Sequence, residues 1–153
     1  MHSFQDQFLH SPIRRFGDID LLIGGASERV THGGTGAVAH ESVDGKVIVY
    51  QVAADDSPLL ALPLTGGPAR QLVACVKSQG FAVEAAGIYY ASCDTGPESF
   101  VHLLDPATGR DQVLASVREP FHWNGLAISP DGKTMLVHRY TENADLMLIE
   151  NFR

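Results

Sequence analysis

The chain lacks the sequence features of three large classes of protein. Its 153 residues contain no apolar stretch near the roughly 20 residues that a membrane-spanning helix needs. The N-terminal segment has no apolar core of the kind found in secretory signals. The 11 Lys and Arg residues are scattered, and 18 Asp and Glu residues give a net charge of −7, whereas nucleic-acid binding needs a basic face. We therefore expect no membrane span and no nucleic-acid partner.

Cysteine is scarce, with only Cys75 and Cys93 in the chain. Neither belongs to a Cys-x-x-Cys pair or to a Cys/His pattern with the spacing of zinc ligands. We therefore expect no metal site and no cofactor. The two residues would pair in an oxidising compartment, but we expect two free thiols near unit edges. The sequence itself assigns the chain to no compartment.

Motifs of enzyme chemistry are also missing. No Gly-x-Ser-x-Gly nucleophile elbow occurs. The glycine-rich segment 33–36 has no following Lys-Ser/Thr and is interpreted as a loop rather than a phosphate-binding P-loop. The carboxylates Asp55 and Asp56, with Glu41 and Asp44 nearby, lack the regular spacing of a calcium loop and are interpreted as solvated turns.

What the chain does contain is an internal repeat. The segment 42–46 (Ser-Val-Asp-Gly-Lys) returns 87 residues later as 129–133 (Ser-Pro-Asp-Gly-Lys), and an apolar run follows each copy. Residues 85–87 (Ala-Ala-Gly) form a degenerate middle copy, and glycine pairs at 24–25 and 66–67 are 42 residues apart. These spacings fit the ~40–45 residues of a four-stranded propeller blade. The pattern therefore predicts repeated four-stranded units.

The turn residues divide each unit into short strands. An Asp-Gly pair supplies the positive φ angles of a tight hairpin, and the run 47–49 that follows is apolar on both faces, which indicates a strand covered on both sides. We predict an all-β fold of about three and a half four-stranded antiparallel blades, an open or partial β-propeller. The expected boundaries are an N-terminal tail at 1–16 and units at 17–32, 33–75, 76–117 and 118–153.

A family resemblance supports this fold. The stretch 125–133 (Gly-Leu-Ala-Ile-Ser-Pro-Asp-Gly-Lys) resembles the signature of TolB-type, WD40-like propeller repeats, and the ending 144–153 is similar to the C-terminus of a bacterial group in that class. The resemblance extends over residues 24–153 and implies a protein-interaction or sensing module. Members of that group often carry a winged-helix or kinase domain before the propeller, which this sequence lacks. With so few blades, we expect a fragment of a larger regulator-type protein.

The residues His122, Trp123 and Asn124 form the most distinctive local cluster. They open the last unit, whose innermost strand is expected to face the central channel. Trp123 would anchor a ligand or partner there. The alternative, that Trp123 packs between blades, is favoured because aromatic side chains are common in protein cores. His40 lies near a strand end, where propellers gather side chains at the channel mouth. These four residues are the predicted ligand- or partner-binding positions.

The predicted function is non-enzymatic binding. We expect a protein partner, or self-association through open sheet edges. The alternative is a propeller hydrolase or lyase that uses channel-mouth carboxylates and histidines (among His32, His40, His122 and His138) with a divalent metal, although no His-x-His or His-Glu-x-x-His spacing occurs. A third interpretation is a gene fragment with no role of its own.

Overall fold

The computed structural model describes residues 18–23, 26–32, 36, 38–53, 55–94, 96, 98–118 and 122–140. Within these ranges the fold is all-β, as the sequence predicts, with eleven strands and no helix. In chain order the strands are β1 Asp20–Ile23, β2 Ala26–Arg29, β3 Val38–Glu41, β4 Val47–Gln51, β5 Ser57–Pro63, β6 Arg70–Glu84, β7 Gly87–Ser92, β8 Glu98–Leu104, β9 Asp111–Arg118, β10 His122–Ile128 and β11 Met135–Tyr140.

The strands form one curled seven-stranded sheet and two hairpins. Strands β3 to β9 are antiparallel neighbours in chain order, whereas β1 pairs with β2 and β10 pairs with β11. The predicted N-terminal tail at 1–16 and the end of the predicted last unit, 141–153, lie outside the described residues. We call β3, β4, β5 and residues 70–76 the first unit, and residues 79–84, β7, β8 and β9 the second unit.

The two units share strand β6, a feature that the sequence analysis did not predict. The repeat predicts a break between separate four-stranded sheets, but β6 runs through all 15 of its residues and bends instead. At the bend Gln79 has a φ of 51°, and the pairing of β6 with β7 shifts register between Val76 and Phe81. A bulge of this kind redirects a strand without ending it.

The buried side chain of Gln51 holds the bend. Its amide nitrogen donates to the carbonyl oxygens of Val76 at 2.9 Å, Lys77 at 3.2 Å and Asp55 at 3.2 Å. Its amide oxygen accepts a hydrogen bond from the backbone N–H of Gln79 at 3.0 Å. Since buried backbone groups need partners, the Gln51 amide replaces the ladder hydrogen bonds that the bulge removes.

Two further contacts tie the bend to its neighbours. Asp56 accepts a hydrogen bond from the backbone N–H of Ser78 at 3.0 Å and pairs with the Lys77 ammonium at 3.3 Å. Cys75 and Cys93 form a disulfide, with Cα atoms 5.6 Å apart. The expectation of two free thiols was therefore wrong. The paired residues Val76 and Ser92 bring the two cysteines together across β6 and β7, a long-range register that spacing alone does not reveal.

Two apolar cores lie on opposite faces of the second unit. Along β7, Ile88 and Tyr90 point to one face and Tyr89 and Ala91 to the other, as strand alternation requires. The first core contains buried residues from both units: Val49, Leu59, Val76, Phe81, Ile88, Tyr90 and Leu104. The second core packs the β10–β11 hairpin onto the second unit through Tyr89, Ala91, Val101 and Leu126.

The two copies of the Ser-x-Asp-Gly-Lys turn have nearly identical geometry. The Ser42 hydroxyl donates to Asp44 at 2.7 Å, and the Ser129 hydroxyl donates to Asp131 at 2.6 Å. Each serine oxygen also accepts a backbone N–H five residues on, at 2.9 Å in both copies. The glycines at 45 and 132 have φ angles of 68° and 67°, a conformation that favours glycine. The sequence repeat is therefore also a repeat of structure.

Candidate functional site

A cleft of about 620 Å³ opens where the first and second units meet, at the end of the sheet that carries the hairpin turns. Its floor continues the first core, since Val49 and Ile88 belong to both. Its mouth is formed by three turns, at 42–44, 85–87 and 105–107. A cleft of this size falls in the range of about 300–1,000 Å³ typical of ligand sites.

The walls of the cleft are apolar because inward-facing positions of neighbouring strands stand side by side. Val47 is paired with Pro63, and Val49 is paired with Ala61 across β4 and β5. Opposite them, Val83 and Ile88 are paired across β6 and β7 and line the same space. Directly opposed pairs on one face of a sheet contact each other, so each wall is a continuous apolar surface.

The mouth carries charge of mainly one sign. Three carboxylates line it, Asp44 from the first unit and Glu84 and Asp105 from the second, against the single guanidinium of Arg70. That guanidinium donates a hydrogen bond to the carbonyl oxygen of Pro106 at 2.9 Å, which connects the outer strand of the first unit to the β8–β9 turn of the second.

The turns themselves keep two of these carboxylates ionised. Hydrogen bonds from the Ser42 hydroxyl and the Lys46 backbone N–H lower the pKa of Asp44. Hydrogen bonds from the Thr108 hydroxyl and the Ala107 backbone N–H do the same to the pKa of Asp105. Because donated hydrogen bonds favour the charged form, both groups stay anionic to lower pH than an ordinary aspartate.

Apolar side chains also surround the mouth. Val43 is 68% exposed, and Ala85, Ala86 and Ala107 are exposed as well. Together these residues extend the apolar surface of the cleft to the outside of the molecule, and contiguous exposed apolar surface is typical of binding sites.

A second polar cluster lies on β7, β8 and β9. The Tyr90 hydroxyl donates to one Asp111 oxygen at 2.6 Å, and His102 Nδ1 lies 3.1 Å from the other. The Tyr90 and His102 rings stack with centroids 4.8 Å apart. Burial, followed by the hydrogen bond to Asp111, raises the pKa of Tyr90 well above its usual range. The carboxylate thus orients the imidazole through Nδ1, as in a His–Asp pair.

The structure places the predicted site residues at two separate locations. His40 lies in β3 and is paired with Val49; its ring contacts Phe81 edge-on, with centroids 4.9 Å apart. Desolvation lowers the pKa of His40, while the charge of Glu84 acts in the opposite direction. His122, Trp123 and Asn124 begin β10, but their side chains lie outside the described residues, so their binding role stays a prediction.

Sequence reasoning missed both the cleft and the cluster of Tyr90, His102 and Asp111. The cleft combines residues from positions 42 to 107, and no short motif links them. The pair formed by His102 and Asp111 had a weak signal: with a turn at 105–110, the two residues become diagonal neighbours across β8 and β9, since Leu104 is paired with Asp111 and His102 with Val113.

Among the described residues, no group of three or more His, Cys, Asp or Glu side chains could hold a metal ion, and no helix there is long and apolar enough to cross a membrane. Comparison with protein-family models finds no match, and comparison with curated protein sequences finds none.

Proposed function

We propose that this chain is a non-enzymatic interaction module built from β-propeller blades of the TolB type, and that it binds a segment of a partner protein in the cleft between its first and second units. The cleft carries the proposal: an apolar cavity of about 620 Å³, open to the surface and bordered by the exposed Val43. Such a cavity fits apolar side chains of a partner, since aromatic and aliphatic anchors in pockets supply most interface energy.

Three observations support blades as the underlying architecture. Turn glycines with positive φ recur at positions 45, 87 and 132, which is the spacing of the repeat. The Ser-x-Asp-Gly-Lys turns recur with the same hydrogen bonds. Each apolar core lies between the facing surfaces of successive groups, which is how propeller blades bury their faces. In this proposal the cleft is the space between two blades at their turn end.

The outer edges of the sheet offer a second mode of association. Within the part of the chain that the structure describes, no strand pairs with the outer side of β3 or of β9. Seven of the eight residues of β9 are exposed. Unpaired edges are templates for pairing with another chain, so self-association through β3 or β9 accompanies the proposed binding in the cleft.

The proposal is tested by selecting random dodecapeptides displayed on phage against the full chain. We expect recovered peptides to bind the wild type and to lose at least about tenfold in affinity on Val43→Asn, because the substitution replaces the exposed apolar side chain at the mouth with an uncharged polar one. The matched control is Leu136→Asn, since Leu136 is also 68% exposed but lies outside the cleft. Recovery only of peptides that bind Val43→Asn as tightly as the wild type would contradict the proposal.

A further inference from the structure

We infer that the partner segment in the cleft carries a large apolar side chain next to a basic residue. The inference rests on the proposed function and adds the chemistry of the partner. It follows from two properties of one site, an apolar interior and a mouth lined mainly by carboxylates.

The interior selects for an apolar group. Val47, Val49, Leu72, Val83 and Ile88 line it, and none of these side chains has a hydrogen-bonding atom. A polar side chain placed among them would lose its hydrogen bonds to water without replacement, which disfavours its binding. A Leu, Ile, Met or Phe side chain would gain from burial instead.

The mouth selects for positive charge. The two charged lining residues that are partly buried are both carboxylates, Glu84 and Asp105, whereas Arg70 and Asp44 are exposed. Arg70 is also occupied by its hydrogen bond to the Pro106 carbonyl. Partly buried charges are screened less by salt than exposed ones, so the field at the mouth is set mainly by Glu84 and Asp105.

Nearby cations do not reverse this sign. Lys46 pairs with Asp44 at 3.6 Å, but its side chain is 73% exposed, and Arg110, which acts on Asp105, is exposed too. Neither side chain lines the cleft. Both stand in water, where a charge contributes little at a distance.

The geometry of the β6–β7 turn keeps Glu84 at the mouth. Glu84 is paired with Gly87, which has a φ of 137°. A Cβ at position 87 would lie 2.5 Å from the Leu104 carbonyl oxygen, so only glycine lets the turn approach the end of β8 this closely. The end of β8 is followed by Asp105. The close approach therefore sets the Glu84 turn and the Asp105 turn side by side.

The test uses three fluorescein-labelled nonapeptides and the full chain. The first has two central Leu residues flanked by Lys, the second has Glu in place of Lys, and the third has Ser in place of Leu. Fluorescence anisotropy at low and at physiological salt measures their affinities. We expect the Lys–Leu peptide to bind at least about tenfold more tightly than the other two, with a preference over the Glu–Leu peptide that narrows as salt rises.

Variants of Glu84 identify the responsible charge. Glu84→Gln should weaken the Lys–Leu peptide about threefold, and Glu84→Lys should shift the preference toward the Glu–Leu peptide by about tenfold, as expected for rim charge pairs. Glu28→Lys is the control, because it makes the same change in net charge at an exposed position of β2, outside the cleft. Circular dichroism verifies that each variant is folded. If Glu84→Lys is unfolded, the affinities of Glu84→Gln, which removes the charge without reversing it, decide the test.

The outcomes separate this inference from the proposed function. Equal binding of the Lys–Leu and Glu–Leu peptides, or an unchanged preference in both Glu84 variants, would overturn the inference. If phage-selected peptides still depend on Val43 while showing no enrichment of basic residues, the proposed function stands and the partner's chemistry is different. If no selected peptide depends on Val43, the proposed function fails first.

Discussion

The junction between the first and second units differs from the junction between the second unit and the β10–β11 hairpin. At the first junction the backbone continues through β6, a disulfide connects β6 to the end of β7, and seven of the described side chains are buried in the core. At the second junction the described contact is face packing, and four of the described side chains are buried in it. Units with the same spacing can therefore be coupled in different ways: one pair behaves as a single sheet, and the hairpin is a layer added to it.

The largest difference between the junctions should appear on removing a core side chain. Phe81 is 1% exposed in the first core, and Leu126 is 8% exposed in the second. We expect Phe81→Ala to lower the free energy of unfolding by about 3–5 kcal/mol, and Leu126→Ala by about 2 kcal/mol, the lower end for buried Leu. Urea unfolding followed by circular dichroism measures both. Equal losses would mean that the two junctions are equally strong.

Loss of the disulfide should weaken only the first junction. The cysteines are 18 residues apart, and closing a loop of that length stabilises by about 3 kcal/mol in the chain-entropy account. We expect Cys75→Ser combined with Cys93→Ser to reduce the free energy of unfolding by that amount. A thiol assay in denaturant should detect no free thiol in wild-type protein purified without reductant. Two reactive thiols per chain would show that the bond does not form.

The bend in β6 can be tested through Gln51. Gln51→Leu removes the partners of the Val76 carbonyl and the Gln79 N–H in a buried place, so we expect a loss of about 2 kcal/mol in unfolding free energy. Gln71→Leu, at an exposed position of β6, should change the unfolding free energy by less than about 0.5 kcal/mol. Amide hydrogen exchange at Gln79 should accelerate in Gln51→Leu alone. Similar stability of the two variants would exclude Gln51 as the residue that holds the bend.

The smallest effect should come from the hydroxyl of Tyr90, within the second unit. Tyr90→Phe removes the hydrogen bond to Asp111 and should cost about 1 kcal/mol. Because folding raises the pKa of Tyr90, the stability that its hydroxyl contributes is complete below the unfolded-state pKa of about 10. This stability is lost as the pH rises from there through the folded-state pKa. Absorbance at 295 nm should show one fewer tyrosine that resists ionisation in Tyr90→Phe. A titration identical to that of the wild type would contradict this assignment.

Features set by a few neighbouring residues could be predicted from the sequence. The strand after each Asp-Gly turn and the glycines at 45 and 132 with positive φ both follow from local turn chemistry and from spacing. Such features depend on contacts within about five residues, so the sequence pattern carries them directly.

Features that depend on register across the sheet could not be predicted. No sequence pattern near Gln79 predicts its positive φ, because that conformation is maintained by Gln51, 28 residues earlier in the chain. The disulfide depends on the pairing of Val76 with Ser92. The cleft likewise requires the two units to face each other across the bend. Periodicity gives the order of the strands but not the path of the backbone between them.

A strand that belongs to both units limits how the molecule can be divided. Cutting the chain within residues 76–79 would leave each half with an open edge and would separate Gln51 from the groups that it binds. The smallest piece that could be transplanted or expressed with its pairing intact is therefore the stretch from β3 to β9 as a whole. For domain engineering, one forty-residue repeat of this sequence therefore cannot be treated as an independent module.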